Sequence, residues 1–327
     1  MTDHSKSADV LALLKSRATF VSGAEIALAL GITRAAVWKK IGRLRDQGYL
    51  IEAYPAKGYR IAGVPEFSVE EIREAVGSLH TFPPGNIHLF KNLASTNAKA
   101  VELATNGCPD GTVVVADAQS AGRGRLTRSW SSPSGVNIYM SIVLRPSLEP
   151  RDAAILTLLS GVACANALRA LSSCDISLKW PNDLLIGPRK IGGILTELRA
   201  DPDRIQFAVI GIGINVNYHR AYMPDDIKDI ATSLAHEAGR SFSRTAVLAG
   251  VMQQMDKWLK VLSETGKRSV LDEWQTLSST MGKAIAITTQ YGTVRGRAEG
   301  IDDEGFLLAR LENGLLQRVH AGDITYV

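Results

Sequence analysis

Two helix-start signals lie close together near the N-terminus, and they constrain the local fold more tightly than any other feature of the chain. Ser22-Gly-Ala-Glu25 has the S-x-x-E pattern of a capping box, in which side chains satisfy free backbone N–H groups at a helix start. Gly31 can end that helix, and Thr33 can cap the next one. The spacing therefore predicts two short helices joined by a tight turn.

The second of these helices is predicted to be amphipathic over residues 34–47. Val37, Ile41 and Leu44 recur at helical spacing and define its apolar face. The other face is predicted to display the basic residues of the segment, which are Arg34, Lys39, Lys40, Arg43 and Arg45.

A hairpin completes this first predicted domain. Strands Tyr49–Tyr54 and Tyr59–Ile61 flank a turn that carries Lys57. The order of elements predicts a winged helix-turn-helix domain over residues 1–63. Residues 1–62 hold ten Lys/Arg and five Asp/Glu, whereas the remaining residues hold 27 and 28, so the positive excess is confined to this domain.

Such localised charge indicates a polyanionic partner, and DNA is the interpretation we favour. The basic helix would enter the major groove while the hairpin reaches a neighbouring phosphate. A solvated helix face in a purely structural domain is the alternative, and charged helix faces are usually of that kind. The candidate DNA-binding residues are Thr33, Arg34, Lys39, Lys40, Arg43 and Lys57.

The rest of the chain is predicted to form two further domains. Residues 64–278 mix strands and helices, which predicts an α+β domain with a helix-covered sheet. Short alternating runs and turns such as Glu312-Asn313-Gly314 predict a small SH3-like barrel over residues 279–327. The predicted central strands are Thr112–Asp117, Asn137–Leu144, Ile176–Lys179, Leu184–Ile186, Gly193–Leu198 and Ile205–Ile214, and the predicted helices are Asn97–Thr105, Arg151–Leu171 and Arg244–Ser263.

Composition indicates a soluble protein in a reducing compartment. The longest apolar stretch, residues 153–171, contains Ser160, Asn166 and Arg169, so we expect a buried helix rather than a membrane span. The first 15 residues lack the apolar core of a signal peptide. Three cysteines without a C-x-x-C pair argue against a disulfide framework or a zinc site. We therefore expect a cytoplasmic protein with no membrane partner.

A glycine-interrupted arginine run predicts an anion site. In Gly122-Arg123-Gly124-Arg125, glycines let backbone N–H groups turn toward an anion, and the guanidinium groups suit phosphate and carboxylate. Arg128 adds a third guanidinium group. The run alone is equally typical of a nucleic-acid-binding loop or a mobile surface turn, and no G-K-[ST] follows to make it a Walker loop.

A second charged cluster follows in Lys179-Trp180-Pro181-Asn182-Asp183 and Lys190. Pro181 favours an extended backbone at Trp180, so Lys179 is predicted to end a strand. Asn182-Asp183 is predicted to turn into the next strand, and Lys190 is predicted to lie in the turn after that. This hairpin presents two lysines and a carboxylate at its ends. In an arbitrary protein, incidental surface charge would usually explain them.

The order and wording of these segments resemble the biotin–protein ligases. Together with the winged helix, the resemblance covers nearly the whole chain and points to the bifunctional form, biotin–protein ligase and biotin-operon repressor. It implies a central domain with a fold like that of class II aminoacyl-tRNA synthetases. The residues that carry the resemblance are Ser95-Thr96-Asn97, Gln119, Gly122–Arg125, Arg128, Trp130, Lys179–Asp183, Lys190 and Gly211–Asn217.

The resemblance implies a two-step reaction with biotin and ATP as substrates and Mg²⁺ accompanying ATP. Biotin and ATP give biotinyl-5′-AMP and pyrophosphate, and a lysine of the biotin carboxyl carrier protein of acetyl-CoA carboxylase then attacks the mixed anhydride. Cations must offset the repulsion between the biotin carboxylate and the α-phosphate. The implied catalytic residues are Lys190 between the two anions, Arg125 over the phosphates, Lys179 adding charge, and Asp183 as a candidate metal contributor or base for the acceptor lysine.

Two overlapping sets of binding residues are implied by the same resemblance. Neutral polar side chains would hydrogen-bond the uncharged ureido head of biotin, and an indole would pack near the ligand. The biotin set is Ser95, Thr96, Asn97, Gln119, Arg123, Gly124, Arg125 and Lys190. The ATP and phosphate set is Gly122, Arg123, Gly124, Arg125, Arg128, Trp130, Asn182 and Asn215.

The chain departs from the family pattern at two neighbouring residues of the arginine loop. The family often has glycine where this chain has Thr127 and a charged residue where it has Leu126, so we expect a stiffer and less basic loop.

The resemblance further implies that biotinyl-AMP favours a homodimer whose paired winged helices bind a two-fold operator, with carrier protein competing for the monomer.

Three alternatives stay open on the sequence. A lipoate–protein ligase shares the central fold and the acyl-adenylate chemistry, although Lys179–Asp183 favours biotin. A transcription regulator whose central domain only senses a ligand is the second alternative, and Lys190 with Arg123 and Arg125 argues against it. A ligase whose winged helix no longer represses transcription is the third, and the basic helix argues against it.

Overall fold

The computed structural model describes residues 5–17, 19–55, 57–289 and 292–327, with side chains described from residue 10 onward. The chain divides into two compact units, residues 1–74 and 75–327. The elements of the first unit are α1 (Ser5–Lys15), α2 (Gly23–Leu30), α3 (Arg34–Asp46), β1 (Leu50–Tyr54) and β2 (Gly58–Gly63), and α4 (Val69–Val76) spans the division.

The predicted capping signals set the ends of the helices in the first unit. The Ser22 hydroxyl accepts a hydrogen bond from the Glu25 N–H at 3.1 Å, and the Thr33 hydroxyl accepts one from the Ala36 N–H at 3.2 Å. Gly31 ends α2 in the left-handed region, with φ 62°. The helix–turn–helix and the antiparallel β1–β2 hairpin are confirmed, although Ala56 of the predicted turn lies outside the described residues.

The core of the first unit is the apolar face that the sequence predicted for α3. Val37, Ile41 and Leu44 are buried, and they pack with Val10 of α1 and Ile26 of α2. Burial of this face orients α3 and leaves the opposite side of the helix for solvent or a partner.

The second unit is built on a mixed sheet, which in the described part of the chain has seven strands in the order β3-β4-β5-β9-β8-β7-β6. The β3–β4 pair is parallel and the other pairs are antiparallel. All six predicted strands are present, and β3 was not predicted. The strands are β3 (Ile87–Leu93), β4 (Thr112–Gln119), β5 (Ile138–Leu144), β6 (Ile176–Lys179), β7 (Asp183–Ile186), β8 (Arg189–Ala200) and β9 (Ile205–Ile214).

Five α-helices of the second unit lie among the described residues. They are α5 (Thr96–Thr105), α6 (Ala154–Ser172), α7 (Leu234–Ala238), α8 (Arg244–Thr265) and α9 (Arg268–Leu277). Of these, α5, α6 and α9 contact the sheet, while α8 packs on α6 and α9. The three predicted helices correspond to α5, α6 and α8, whereas α7 and α9 were not predicted. Of the described helices, one segment, Pro150–Ser172, is long and apolar enough to cross a membrane by length and composition. Most of that segment is buried, because α6 packs against α8, α9 and the sheet.

The C-terminal part folds as an antiparallel sheet, with the strand order β13-β12-β11-β10-β14 among the described residues. The predicted short strands are present, and β14 was not predicted. Asn313-Gly314 makes the turn between β12 and β13, where Gly314 has φ 83°. The strands are β10 (Ala284–Thr289), β11 (Gly292–Ile301), β12 (Leu307–Leu311), β13 (Leu316–Val319) and β14 (Asp323–Tyr326).

Candidate functional site

The lysine and carboxylate of the second charged cluster meet at one end of the β6–β7–β8 meander. β6 ends at Lys179, and β7 begins at Asp183. The Lys190 Nζ lies 2.5 Å from the Asp183 Oδ1, and both side chains are partly exposed. Lys190 is on strand β8 rather than in the predicted turn, because its backbone pairs with Leu185 across the sheet. The strand fixes the position of its backbone better than a turn would.

The indole of Trp130 lies beside this ion pair. The Lys190 Nζ is 5.5 Å from the centroid of the Trp130 ring, a cation–π distance. The ring rests on Gly213, where an added Cβ would lie 2.7 Å from the Trp130 Cε2. Among the described residues, no acceptor meets the buried Trp130 Nε1–H. The indole is thus seated on backbone and carries a donor that a ligand oxygen can use.

Lys179 is covered by the C-terminal sheet. Its Nζ lies 5.2 Å from the centroid of the Tyr326 ring on β14. Burial lowers the pKa of the Lys179 ammonium, while the Asp183 carboxylate acts in the opposite direction. The last described strand therefore contributes to the surroundings of a predicted catalytic residue, which the sequence did not reveal.

The glycine–arginine run forms a tight loop between β4 and β5. The Gly124 N–H donates to the Arg128 carbonyl at 2.7 Å, and Arg123 forms an isolated bridge with Ser129. At the tip, Leu126 and Thr127 adopt left-handed conformations with φ 52° and 61°. A non-glycine residue in this region costs about 1–2 kcal/mol, most for a β-branched side chain such as threonine. The loop thus holds its bend without the glycine that the conformation favours.

Two arginines tie this loop to the rest of the site. The Arg125 guanidinium donates to the Asn182 Oδ1 at 3.1 Å and reaches the Gly322 carbonyl at 3.5 Å. Burial lowers the pKa of Arg125, and the carboxylates of Asp323 and Asp183 oppose that change. Arg128 forms an ion pair with Asp323 at the start of β14. Arg125 therefore lies within the cluster, whereas Arg128 is anchored at its rim.

A small cavity adjoins Arg125. It has a volume of about 180 Å³ and lies among the sheet, α6 and the C-terminal strands. Its polar lining includes Arg125, Asn182, Thr196 and His320.

Of the neutral polar residues predicted for biotin, Thr96, Asn97 and Gln119 belong to one hydrogen-bonded network. Gln119 Oε1 accepts the Thr96 backbone N–H at 2.8 Å, and Gln119 Nε2 donates to the Ser132 hydroxyl at 2.9 Å. The Ser141 hydroxyl, buried on β5, lies at hydrogen-bond distance from the Thr96 hydroxyl, with 2.8 Å between the two oxygens. Ser95 caps α5 by accepting from the Ala98 N–H. The sequence missed Ser132, in the loop between β4 and β5, and Ser141, on β5, since nothing local marks either serine as part of a site.

The Asn97 carboxamide is fully engaged by protein groups. Its Oδ1 accepts from the Ser141 hydroxyl at 2.6 Å, and its Nδ2 donates to the Leu195 carbonyl at 3.2 Å and to the Glu197 Oε2 at 2.7 Å. It lies against Gly211, where an added Cβ would be 2.9 Å from the Asn97 Cγ. Asn97 therefore organises the pocket wall, with both amide hydrogens donated to protein acceptors.

The two other predicted asparagines also have protein partners. Asn182 Nδ2 donates to the Ile194 carbonyl at 2.7 Å, which leaves its Oδ1 for Arg125. Asn215 is buried, and its Nδ2 donates to the Thr232 carbonyl at 3.0 Å. Asn215 therefore connects β9 to the segment before α7. Gly122 is close-packed, since an added Cβ there would lie 2.6 Å from the Ser132 Oγ.

No group of three or more His, Cys, Asp or Glu side chains suited to a metal ion occurs among the described residues. Asp183, the candidate metal contributor, is paired with Lys190. Magnesium beside a nucleotide is commonly held by one or two carboxylates and by phosphate oxygens, so Asp183 stays a predicted contributor and an ion would depend on the phosphates for most of its ligands.

The basic face of α3 differs from its prediction at one residue. Arg34 and Lys39 are exposed, whereas Lys40 is only 6% exposed, and its Nζ has no partner among the described residues. The prediction that Lys40 is displayed for DNA is therefore wrong, because Lys40 lies between Val37 and Leu44 on the buried stripe. Thr33 uses its hydroxyl as the cap, and Arg43 is half-buried.

An exposed indole on the same helix was not predicted. Trp38 is 72% exposed, next to Lys39 and one turn after Arg34. A large exposed aromatic side chain on a helix is unusual in the absence of a partner. The helical spacing could have predicted this exposure, because Trp38 falls outside the apolar face defined by positions 37, 41 and 44.

Comparison with known proteins gives three family models that match successive parts of the chain. The models are those of the HTH domain over residues 6–60, the biotin/lipoate A/B protein ligase family over residues 89–215, and the biotin protein ligase C-terminal domain over residues 280–325. They follow the predicted order of elements along the chain.

Relatives match over nearly their whole length. The chain is 40% identical to the bifunctional ligase/repressor BirA of Bacillus spizizenii over 93% of each chain. It is 30% identical to the bifunctional ligase/repressor BirA of Escherichia coli over 99% of this chain and 98% of that one. Among solved structures, the biotin protein ligase from Aquifex aeolicus in complex with biotin and ATP matches with a TM-score of 0.63, 30% identity and coverage of 74% of this chain and 98% of that one.

Proposed function

The chain belongs to the biotin–protein ligase family, and on that premise we propose that it is a bifunctional enzyme and regulator, an ATP-dependent biotin–protein ligase that also represses a biotin operon. Full-length relatives with the name bifunctional ligase/repressor support both halves of the proposal. The observation that carries the catalytic half is the convergence of Lys190, Asp183, Lys179 and Arg125 beside Trp130 at one end of the sheet.

The first step joins two anions, and the proposed roles follow from charge. A carboxylate oxygen of biotin forms a bond to the α-phosphorus of ATP as the bond to the pyrophosphate oxygen breaks. Lys190 neutralises the approaching carboxylate and α-phosphate, and Arg125 and Arg123 hold the phosphate oxygens. Lys179 adds positive charge nearby. Mg²⁺ is proposed to accompany ATP and to take most of its ligands from phosphate oxygens, with Asp183 as the candidate protein ligand.

The second step transfers biotin to the carrier protein. A neutral lysine amine of the biotin carboxyl carrier protein attacks the carbonyl carbon of biotinyl-5′-AMP, the anhydride bond breaks, and AMP leaves. The acceptor lysine is an ammonium in water and must lose a proton to become this neutral amine, and Asp183 is the carboxylate that we propose accepts it. A second proton leaves the nitrogen for solvent as the amide forms. Lys190 lies 2.5 Å from that carboxylate, so it also holds Asp183 in position.

Biotin is proposed to lie along the network of Ser95, Thr96, Asn97 and Gln119. The ATP phosphates are proposed to lie at Gly122, Gly124 and the arginines of the loop, with Trp130 against the ligand. Asn182 and Asn215 are proposed to hold the backbone around the ATP site in place, because the side-chain amide of each donates a hydrogen bond to a backbone carbonyl.

Repression is proposed to act through α3. Arg34, Lys39 and Trp38 are exposed on one helix of a helix-turn-helix, a geometry that suits the major groove. Arg43 and Lys57 are proposed to reach phosphates. Biotinyl-AMP is proposed to favour a homodimer, which would present two such helices to a two-fold operator, while carrier protein competes for the monomer.

Finer structural assignments belong to the same proposal. We assign the domains as residues 1–63, 64–278 and 279–327, with a central fold like that of class II aminoacyl-tRNA synthetases and an SH3-like C-terminal barrel. The protein is proposed to work in the cytoplasm, where carrier protein, ATP and operator DNA are present together.

The test is biotin transfer. Purified protein is incubated with biotin, ATP and Mg²⁺, with and without a biotin carboxyl carrier domain, and the carrier is weighed by mass spectrometry. One added biotin per carrier is expected. Lys190→Ala should abolish adenylate formation, whereas Lys91→Ala, which removes an exposed lysine of β3, should leave it intact. Transfer of lipoate instead of biotin would overturn the proposal. So would a folded protein that transfers neither molecule to the carrier.

A further inference from the structure

We infer that Glu197, to which no role in the site has been assigned, is a positioning residue that joins the biotin pocket to the phosphate loop. Its carboxylate oxygen Oε2 meets two groups from different parts of the chain. It accepts from the Asn97 Nδ2 at 2.7 Å and from an Arg123 guanidinium nitrogen at 3.3 Å. The inference rests on the proposed function, because it concerns how biotin and ATP occupy that site.

The contact with Asn97 is the buried one. Asn97 is 4% exposed, and its Oδ1 and Nδ2 are used by Ser141, Leu195 and Glu197. A buried amide hydrogen without an acceptor is unfavourable, so removal of the Glu197 carboxylate would favour a turn of the Asn97 side chain away from its hydrogen bonds to Ser141 and Leu195. The backbone of Thr96, one residue earlier, is bound to Gln119, so such a turn would disturb the proposed biotin pocket.

The contact with Arg123 is the exposed one. The Arg123 and Glu197 side chains are 47% and 34% exposed, and their ion pair is long for a charged hydrogen bond. Exposed pairs of this kind are weak. Arg123 is therefore held near the pocket in a contact that an incoming phosphate can replace at small cost.

The two contacts give Glu197 opposite effects on the binding of the two substrates. It supports biotin by fixing Asn97, and it competes with ATP by pairing with Arg123. Glu197→Gln neutralises the carboxylate and keeps its shape, so it should separate the effect on biotin binding from the effect on ATP binding. A glutamine oxygen can still accept from Asn97, but it no longer holds the Arg123 cation by charge.

The experiment compares Glu197→Gln and Glu197→Ala with wild type in the full-length chain. Biotin affinity is measured by calorimetry without ATP, and the KM for ATP and kcat are measured in the adenylation reaction. We expect Glu197→Gln to keep biotin affinity within about twofold and to lower the KM for ATP about two- to fivefold. We expect Glu197→Ala to weaken biotin about tenfold or more.

Two controls make the outcome specific. In an Arg123→Ala background, Glu197→Gln should no longer change the KM for ATP, because the competing cation is gone. Glu299→Gln removes a comparable pair with Arg310 on the C-terminal sheet and should change neither substrate.

The inference is overturned if Glu197→Gln weakens biotin as much as Glu197→Ala does, or if it leaves the KM for ATP unchanged while Arg123→Ala raises it. It is also overturned if the effect of Glu197→Gln persists without Arg123. Failure of wild type to transfer biotin would count against the proposed function instead, and the calorimetric comparison would still decide the role of Glu197 toward Asn97.

Discussion

Gly211→Ala is expected to be among the most damaging single-methyl additions in the central sheet. Gly211 lies on β9 beneath the Asn97 carboxamide, where an added Cβ would be 2.9 Å from the Asn97 Cγ and 3.1 Å from its Nδ2. Those distances are far inside ordinary van der Waals contact, so either the side chain or the strand must shift. The strand is paired on both sides, with β5 and β8, which leaves the Asn97 side chain to move.

The expected cost follows from what holds Asn97. Its carboxamide has hydrogen bonds to Ser141, Glu197 and Leu195 at 2.6, 2.7 and 3.2 Å. Loss of two of them costs about 2 kcal/mol, and forced repacking adds about 1 kcal/mol or more. We therefore expect the free energy of unfolding to fall by about 3 kcal/mol, and biotin binding to weaken at least tenfold.

Urea unfolding followed by circular dichroism measures the first quantity, and calorimetry with biotin measures the second. Gly85→Ala is the matched control, since an added Cβ there meets nothing within 4 Å. Its unfolding midpoint should stay near that of wild type. If Gly211→Ala unfolds at the same urea concentration as Gly85→Ala and binds biotin normally, the idea of a rigidly held Asn97 is wrong.

Three further predictions concern the loop, a buried ion pair and α3. Thr127→Gly should leave the free energy of unfolding unchanged or raise it by up to about 1 kcal/mol, because Thr127 has φ 61°; a clear decrease in urea unfolding would contradict the strain. Burial would raise the pKa of Asp117, but hydrogen bonds from Ser134 and Arg244 outweigh it and lower that pKa below its usual 3.8, so the stabilisation is present above about pH 4 and is lost as the pH falls through the folded-state pKa. Asp117→Asn should therefore cost about 3 kcal/mol at pH 7, since it removes the carboxylate charge that pairs with the buried Arg244 guanidinium, and less as the pH drops below 4; a pH-independent difference from wild type in urea unfolding would refute this. Lys39→Ala should weaken DNA binding and reduce the slope of log affinity against log salt by about 1, whereas Trp38→Ala should weaken it without changing that slope, and neither should alter biotin transfer; equal slopes for the two variants in fluorescence anisotropy would rule out the assignment.

Local signals predicted the N-terminal domain well because each depends on a few neighbouring residues. The caps at Ser22 and Thr33 and the left-handed Gly31 were read directly from sequence and are present. The error at Lys40 was also local. Its position three residues after Val37 and four before Leu44 puts it on the apolar stripe, so spacing outweighs residue type there.

The site was predicted only in part because its contacts join distant segments. The loop, the lysines and the polar Ser95–Asn97 segment could be picked out from their residue types and order. Glu197 lies 100 residues from its partner Asn97, and Asp323 lies 195 residues from Arg128. The strands β3 and β14 were missed for a similar reason, since each is an edge strand whose single ladder is set by a non-local partner.

The position of β14 in the chain imposes an order of events during synthesis. Arg125 contacts Gly322, Arg128 contacts Asp323, and Lys179 contacts Tyr326. In each pair the ribosome adds the basic residue long before its partner. A nascent chain that already displays its arginine loop and its lysines would lack the strand that covers them. Arg125, Arg128 and Lys179 therefore gain these partners only after Gly322 and β14 have been synthesised, so the surroundings of the cationic cluster cannot be complete in a shorter nascent chain.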